Sequence, residues 1–352
     1  MTSVTVRLSR PYEVLIAPGL LDRAGELLRP LTNAKNAALI CGDLVHPLYA
    51  GRAARALERA GFRVCVKLIP HGEEHKNLKT YGEILSFLCE NELGRDDLIV
   101  SLGGGVTGDL AGFAAASWQR GCSFVQIPTT LLAAVDASVG GKNAIDLPGG
   151  KNQAGFVYQP LAVLCDPELF ATLPARELRC GLAEVVKTAV LFDRALFDML
   201  RGGWDPARAE ELVARCVAYK AALVERDEFD RGERRLLNLG HSFGHAIEQR
   251  SGYTLSHGEA VAIGLGMIAR AAAGRGFCAA ETAEEIVQLL GSLGLPTDCP
   301  YPAAELLEAM KHDKKRGSEA LPLVVPREIG RCELLDVPLA ELGSWLRDGG
   351  AP

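Results

Sequence analysis

The first half of the chain alternates short apolar segments with amphipathic helical ones, and this alternation constrains the fold most narrowly. Ala37–Cys41 has the composition of a buried strand, and Val64–Ile69 and Leu98–Leu102 are further strand-like segments. Helical patterns at Leu48–Ala60 and Leu78–Glu92 separate them. Parallel strands are joined by helical crossovers and are buried on both faces, so their sequences are continuously apolar. The pattern predicts a parallel sheet covered by helices on both faces.

The second half of the chain has a different pattern. Beyond Pro174 it is helical almost throughout, up to about Lys311, apart from a strand-like segment at Leu321–Val325. We therefore place a boundary near residue 175, with an α/β domain over 1–175 and a mainly α-helical domain over 176–352. Other strand-like segments are Val4–Leu8, Glu13–Ile16, Phe124–Ile127 and Leu161–Asp166, of which the first two suggest a hairpin.

Composition excludes several classes of function. The 352 residues are 48% hydrophobic with a net charge of −6, which argues against a general nucleic-acid binder. Met1–Val14 lacks the apolar region of a signal peptide, and the longest apolar run, Ala260–Ala269, is shorter than the roughly 18 residues of a membrane span. The ten cysteines form no Cys-x-x-Cys pair. We expect a cytoplasmic protein with reduced cysteines that binds neither nucleic acid nor membrane.

A histidine cluster in the second half points to a metal. His241 and His245 are four residues apart, which places both imidazoles on one face of a helix, and His257 follows closely. Imidazole is the commonest protein ligand for zinc-like ions. With Glu184 as a carboxylate ligand, the adjacent pair would complete a site. The alternatives are histidines without a metal, and a surface ion pair between Glu184 and Lys187.

A glycine-rich loop, Gly103–Asp109, lies between a predicted strand and a predicted helix. Glycines in such a loop let backbone amides approach a pyrophosphate, and the next helix offers its positive end. The spacing differs from Gly-x-Gly-x-x-Gly, so a tight strand–helix turn is an equal alternative. Asp43 and Thr129–Thr130 also follow strands, where open sheets bind ligands. Asp43 is a candidate for a ribose hydroxyl or, alternatively, for a helix N-cap.

Two lysine segments are candidates for binding phosphate. Lys142 and Lys151-Asn152 lie in a glycine-rich stretch that we interpret as flexible loops. The alternative for both is that the lysines are solvated at the surface. Asp313-Lys314-Lys315 is a third basic segment, which we interpret from its residues alone as a solvated charge run.

Several long motifs, in order, resemble those of the 3-dehydroquinate synthases in the sugar-phosphate cyclase superfamily. The resemblance covers about residues 43–330. The motifs are Gly103–Phe113, Pro128–Ala133, Val135–Lys142, Gly150–Asn152, Leu237–His241 and His257–Val261. One departure is Asn143, where the family usually has a threonine.

The resemblance implies an α/β NAD-binding domain, a helical domain and an active site in the cleft. It implies a zinc or cobalt ion held by Glu184, His241 and His257, with His245 facing the substrate. It implies a homodimer, because Arg120 reaches the neighbouring subunit's site. The implied substrate-binding and catalytic residues are Arg120, Asp136, Lys142, Asn152, Lys187, Lys220, Arg234, Asn238, His245 and a lysine at Lys314 or Lys315. The implied NAD contacts are Asp43, Glu73, Lys76, Gly104, Gly105, Asp109, Thr129, Thr130, Lys142, Lys151, Leu169, Thr172, Leu173 and Glu177.

The implied reaction converts 3-deoxy-D-arabino-heptulosonate 7-phosphate into 3-dehydroquinate and phosphate. NAD would oxidise the C5 hydroxyl transiently, which acidifies the C6 proton and allows phosphate to leave. Re-reduction, ring opening and an aldol closure would follow, so that NAD is regenerated. The alternatives are a cyclase acting on an uncarboxylated sugar phosphate, a polyol dehydrogenase that releases NADH, and a catalytically silent metal-binding protein. Arg234 and Asn238 suit a carboxylate-bearing substrate.

Overall fold

The computed structural model describes residues 1–312 and 319–352, which form two compact units. Unit 1 comprises Met1–Leu173 and Pro206–Phe229, and unit 2 comprises Pro174–Asp205 and Asp230–Pro352. The units separate close to the predicted boundary but differ from the predicted division over 206–229. The helix in this segment packs against the N-terminal hairpin of unit 1. The division into domains at residue 175 stays a prediction.

The helices and strands follow the chain in this order. The strands are β1 Thr2–Val6, β2 Tyr12–Ile16, β3 Asn36–Gly42, β4 Arg63–Ile69, β5 Leu98–Gly103, β6 Ser123–Pro128, β7 Lys142–Leu147, β8 Gly150–Val157, β9 Ala162–Cys165, β10 Ala320–Glu328 and β11 Arg331–Pro338. The helices are α1 Ala24–Leu28, α2 Gly51–Arg59, α3 Leu78–Glu90, α4 Gly105–Ser117, α5 Ala175–Phe192, α6 Arg194–Leu200, α7 Ala209–Arg226, α8 His241–Arg250, α9 His257–Gly274, α10 Ala280–Ser292, α11 Ala303–His312 and α12 Leu342–Asp348.

Unit 1 is built on a seven-stranded sheet in the order β1-β2-β9-β6-β5-β3-β4. The pairs from β2 to β4 are parallel, and only the β1–β2 hairpin is antiparallel among its pairs. This confirms the parallel sheet predicted from the alternating pattern. Because parallel strands end at the same edge, the turns after β3, β4, β5 and β6 lie along the carboxyl edge of the sheet.

The sheet separates two hydrophobic clusters, because successive residues of a strand point to opposite faces. Leu39 packs with Leu57 of α2 on one face. Its neighbour Ile40 packs with Ile84 of α3 and Leu110 of α4 on the other. All of these side chains are fully buried. Strands with two buried faces must be apolar throughout, which is the property that made them recognisable in the sequence.

Two hairpins differ from the sequence interpretation. Lys142 and Lys151-Asn152 do not lie in flexible loops, since Lys142 begins β7 and the other two belong to β8, which pairs with it. The glycine-rich composition masked these strands. Asn143 is buried in this hairpin and donates to the backbone oxygens of Gly141 and Tyr158 at 2.7 and 2.9 Å. It therefore stabilises the hairpin's open end.

The strand predicted at Leu321–Val325 is present within β10, and it pairs with β11, which the sequence interpretation missed. The rest of unit 2 is helical over the described residues, in agreement with the predicted mainly α-helical fold. Helix α9 packs against both α5 and α8. Within the described ranges, every helix is too short or too polar to span a membrane.

Candidate metal centre and ligand-binding residues

A buried acid–base pair on α5 forms the base of the candidate metal site. Glu184 and Lys187 are one helical turn apart, and their side chains are only 1% and 2% exposed. Lys187 Nζ lies 2.5 Å from Glu184 Oε2. The alternative of a surface ion pair is therefore wrong. Burial alone would disfavour ionisation, but Lys187 and His241 outweigh it and hold the pKa of Glu184 well below its usual range.

Two imidazoles approach the other oxygen of this carboxylate. His241 begins α8 and His257 begins α9. Their Nε2 atoms lie 3.4 and 3.3 Å from Glu184 Oε1. One ligand atom from each of the three residues can be chosen so that all lie within 4.8 Å of one another. The fold thus gathers two nitrogens and one oxygen, a donor set that suits zinc and related ions.

The spacing of these atoms also fits a metal. Neighbouring ligand atoms of a tetrahedral zinc site, each about 2.1 Å from the ion, are separated by about 3.4 Å. The two nitrogen–oxygen distances are close to that value. Lys187 forms an ion pair with Oε2 of Glu184, and Oε1 has no hydrogen-bond partner among the described residues. The residues present therefore fit a divalent ion.

The outer ring nitrogens of both histidines also have acceptors. His241 Nδ1 lies 3.1 Å from the backbone oxygen of Leu239. His257 Nδ1 lies 3.5 Å from Glu248 Oε2. Burial lowers the pKa of His257, but Glu184 and Glu248 outweigh this and raise it to about 10.

His245 lies beside this cluster, but the residues whose ligand atoms converge in the described part of the chain are Glu184, His241 and His257. The His245 ring is edge-on to that of His241, with centroids 5.4 Å apart, and 6.0 Å from that of His257. The geometry favours His257 over His245 as the second histidine ligand. Spacing along one helix could not reveal this, because His257 comes from the next helix.

The glycine-rich loop joins β5 to α4, as predicted. An added Cβ on Gly103 would lie 2.5 Å from Thr107 Oγ1, and one on Gly104 would lie 3.1 Å from the Thr130 methyl. Thr129 is buried, and its hydroxyl has no hydrogen-bond partner in the described residues. A narrow backbone surface beside an orphaned hydroxyl, at the carboxyl edge of a parallel sheet, fits a dinucleotide phosphate.

Five of the predicted ligand-binding residues form one polar network in unit 1. Lys76 is buried, and its Nζ lies 2.6 Å from Asp109 Oδ2 and 2.6 Å from Asn152 Oδ1. Glu73 Oε1 is 3.2 Å from Lys151 Nζ and 3.8 Å from Lys76 Nζ. The network links the turn after β4, helix α4 and the β7–β8 hairpin. Only the fold brings these residues together, because they span almost eighty positions.

A second pair joins residues far apart in sequence. Lys220 of α7 donates to both the side chain and the backbone oxygen of Asp136, the latter at 2.5 Å. Lys220 is 9% exposed, so its charge is held in a fixed position. Both residues were expected to bind substrate.

Asp43 lies at the end of β3, where its carboxylate accepts from the backbone N–H of His71 at 3.1 Å. The His71 ring nitrogen Nδ1 is 3.0 Å from the same oxygen. The side chain caps no helix, so the N-cap alternative is wrong.

The sequence analysis missed two residues that contact predicted ligand-binding residues. One is His71, and the other is Asp146, whose carboxylate accepts from the Asn152 backbone N–H at 2.8 Å. Only their positions could have indicated a role, because His71 follows β4 and Asp146 lies in the β7–β8 hairpin.

The remaining predicted residues have varied environments. Arg234 is buried on the 3-10 turn Glu233–Asn238, and Asn238 ends that turn. Arg120 has a left-handed backbone, with φ of 68°.

The remaining residues expected to contact NAD lie around the start of α5. Thr172 contacts the Tyr49 hydroxyl at 2.7 Å, and Leu169 is buried nearby. Leu173 caps the 3-10 helix before α5, and Glu177 lies in the first turn of α5. Lys314 and Lys315 lie outside the described residues.

Comparisons with known proteins identify the family of this chain. The family model for the 3-dehydroquinate synthase N-terminal region matches residues 66–180 of this sequence. The family model for the C-terminal region matches residues 181–316. The 3-dehydroquinate synthase of Xanthomonas oryzae pv. oryzae (strain MAFF 311018) is 45% identical over 349 residues, covering 95% of this chain and 94% of its own.

Solved structures share the fold. A 2-deoxy-scyllo-inosose synthase complexed with carbaglucose-6-phosphate, NAD+ and Co2+ matches with a TM-score of 0.90 at 25% identity, over 99% of this chain and 100% of that one. The 2-epi-5-epi-valiolone synthase of Streptomyces hygroscopicus subsp. jinggangensis 5008, with NAD+ and Zn2+ bound, matches with a TM-score of 0.88 at 28% identity, over 99% of both chains. From the family models and the sequence relatives, we conclude that this chain belongs to the 3-dehydroquinate synthase family.

Proposed function

We propose that the protein is a cytoplasmic, homodimeric enzyme that converts 3-deoxy-D-arabino-heptulosonate 7-phosphate into 3-dehydroquinate and phosphate. The observation that carries the proposal is the buried cluster of Glu184, His241 and His257 beside Lys187, in a chain of the 3-dehydroquinate synthase family. A structural zinc site would use four protein ligands, whereas three leave a position for substrate.

The residues that would hold the metal are Glu184, His241 and His257. When bound, a divalent ion supplies a Lewis acid that polarises the substrate oxygens. NAD would contact the loop from Gly103 to Asp109 and the network around Lys76, and it supplies reversible oxidation of the C5 hydroxyl. Two neighbours of known structure are complexes with NAD+ and with Co2+ or Zn2+, which supports both assignments.

The protein's own side chains would supply charge and position. Loss of phosphate from the oxidised substrate requires removal of the C6 proton, and an oxygen of the departing phosphate can accept it. The chain therefore needs no separate base for this step. Lys142, Asn152, His245 and a lysine at Lys314 or Lys315 would bind the phosphate. Asp136, Lys187, Lys220, Arg234 and Asn238 would hold the rest of the substrate.

The alternative cyclases are less well supported. The relatives named 3-dehydroquinate synthase reach 45% identity, whereas the inosose and valiolone synthases reach 25% and 28%. Arg234 is 2% exposed, so it is not a surface residue beside Glu233. A buried guanidinium suits a planar carboxylate, which those other substrates lack.

The test is phosphate release from the heptulosonate phosphate by purified protein, with and without NAD and zinc. We expect turnover only with both, many turnovers per NAD and no net NADH. Accumulation of NADH equal to product would identify a dehydrogenase. No phosphate release under any of these conditions would contradict the proposal.

The homodimer needs its own test, because Arg120 is expected to act in the partner's site. Sedimentation analysis should give twice the mass of the chain. Mixing inactive Arg120→Ala with an inactive variant of another site residue should restore part of the activity through hybrid dimers. A fully active monomer would contradict this part of the proposal.

A further inference from the structure

Glu248 is a buried carboxylate to which neither the family resemblance nor the proposed reaction gives a role. It lies in the last turns of α8 and is 5% exposed. Burying a carboxylate costs several kcal/mol unless charged or hydrogen-bonding groups compensate, so its contacts are informative. Glu248 follows His241 by seven residues, which places both on the same face of α8.

The contact of interest is with the imidazole of His257, on the next helix. Glu248 Oε2 lies 3.5 Å from Nδ1, while Nε2 of the same ring lies 3.3 Å from Glu184 Oε1. The ring is therefore held between two carboxylates. Glu184 is on the side where the candidate metal ligands converge, and Glu248 is on the opposite side.

The two candidate histidine ligands are oriented by different means. His241 has a backbone acceptor for Nδ1, the oxygen of Leu239 at 3.1 Å. His257 has a side-chain acceptor instead. An acceptor at Nδ1 keeps the proton on that nitrogen and leaves the Nε2 lone pair for a metal. The orientation of His257 can therefore be removed by a single substitution, whereas that of His241 cannot.

We propose that Glu248 is a positioning residue that fixes the tautomer and ring orientation of His257 for metal binding. This rests on the metal site assigned under the proposed function. Glu248 touches neither the substrate nor the metal in this assignment, and it acts through His257. The competing explanation is that Glu248 only stabilises the packing of α8 against the start of α9.

A second glutamate provides a matched control. Glu259 also anchors the start of α9, through a capping box with Ser256 and a bidentate pair with Arg176. Glu259 is two residues from His257, but within the part of the chain that the structure describes it forms no hydrogen bond or ion pair with an imidazole. If Glu248 were only structural, Glu248→Ala and Glu259→Ala would affect metal binding similarly for a given loss of stability.

The experiment measures Zn2+ affinity by competition with a chromogenic chelator, together with the visible spectrum of the Co2+-loaded protein. Wild-type protein is measured first, and its failure to bind either ion would refute the metal site itself. We expect Glu248→Ala to weaken zinc binding by about 10- to 100-fold and to alter the Co2+ bands. Glu248→Gln should have a smaller effect, because its amide oxygen can still accept from Nδ1.

Glu259→Ala should leave the Co2+ spectrum unchanged and weaken zinc binding by less than about threefold, even if the protein is less stable. The proposal is overturned if wild-type protein binds zinc and Glu248→Gln and Glu248→Ala both bind it as tightly. It is also overturned if the alanine variants of Glu248 and Glu259 weaken binding equally. If Glu248→Ala does not fold, Glu248→Met, which fills the space but offers no oxygen acceptor, replaces it in both comparisons.

Discussion

Arg234 has a buried guanidinium, and the residue after it provides a natural comparison. Arg234 is 2% exposed, whereas Arg235 is exposed. Hydrogen bonds to charged groups contribute about 1.5–3 kcal/mol, or roughly 10- to 150-fold in affinity or rate. A site built for a carboxylate rejects analogues that lack it still more strongly. Arg234 is therefore a candidate determinant of substrate specificity, whereas Arg235 in the same turn is a solvated charge.

We predict that the enzyme prefers the heptulosonate phosphate over sedoheptulose 7-phosphate by at least about 100-fold in kcat/KM. Arg234→Ala should remove most of this preference by slowing the carboxylated substrate, while Arg235→Ala should preserve it. Steady-state kinetics with both substrates provide the measurement. Equal turnover of the two substrates by wild-type protein would contradict the assigned substrate.

Alanine variants of His257 and His245 should differ in metal content. His257→Ala should lose the metal, because its Nε2 faces Glu184, whereas His245→Ala should keep the metal and lose turnover. Elemental analysis of each purified variant distinguishes them. Equal loss of metal from both would favour the adjacent pair His241 and His245 as ligands.

The carboxylate of Asp97 joins the start of β3 to the turn that leads into β5 in unit 1. It is 8% exposed and accepts from the backbone N–H groups of Asn36 and Gly94 at 2.9 and 2.8 Å, and from the Asn36 side chain at 2.9 Å. Burial alone raises the pKa of Asp97, but these hydrogen bonds outweigh it and lower the pKa below its usual value. The ionised form is therefore favoured in the folded state.

We predict that Asp97→Asn lowers the free energy of unfolding at pH 7 by about 2 kcal/mol. Because the folded pKa is depressed, the ionised carboxylate contributes its full stability above the unfolded pKa of about 3.9 and loses it as pH falls through the folded value. The difference between wild type and variant should shrink below about pH 4. Urea unfolding from pH 3 to 7 measures it, with the exposed Asp96→Asn as control. A difference that grew on acidification would contradict the depressed pKa.

At the scale of elements, the close approach of α9 to α5 positions His257 near Glu184. Gly258, the second residue of α9, makes that approach possible. An added Cβ there would lie 2.4 Å from both the Cα and the backbone oxygen of Cys180. The Gly258 N–H also donates to Cys180 Sγ at 3.0 Å. A side chain at this position must push the two helices apart.

We therefore predict that Gly258→Ala destabilises the protein by about 1–3 kcal/mol and weakens metal binding. Gly274→Ala, at the last residue of the same helix, has no atom within 4 Å of the new Cβ. It should bind metal normally and be up to about 1 kcal/mol more stable. Chemical denaturation and zinc competition test both variants. Unchanged metal affinity in Gly258→Ala would show that this contact does not set the ligand geometry.

At the scale of the whole molecule, the candidate metal site joins helices α5, α8 and α9 within unit 2. A ligand that binds only the folded state stabilises it by mass action, by about 2.7 kcal/mol when present at 100 times its Kd. We predict that zinc raises the unfolding free energy by this amount and that a chelator reverses the effect. His257→Ala should show no such response. Denaturant unfolding with and without zinc is the measurement.

Much of this molecule could be predicted from the sequence. The apolar segments of β3 and β5 require a covered sheet, because a strand with two apolar faces has no stable place at the surface. The motifs around Gly103, His241 and His257 carried the resemblance to the family. The sequence also carried the donor types for a metal, since Glu184 and the histidines are common ligands whatever their arrangement.

Tertiary structure decided which of these residues meet. Helical periodicity relates His241 to His245 but not to His257, because the turn between α8 and α9 has no fixed period. The burial of Glu184 and Lys187 depends on helices packed around α5, and the same two residues on an exposed helix would form an ordinary surface pair. Glu248 had no signal beyond its spacing from His241. Its contact with His257 exists only because α8 and α9 pack together, and local sequence does not encode that distance.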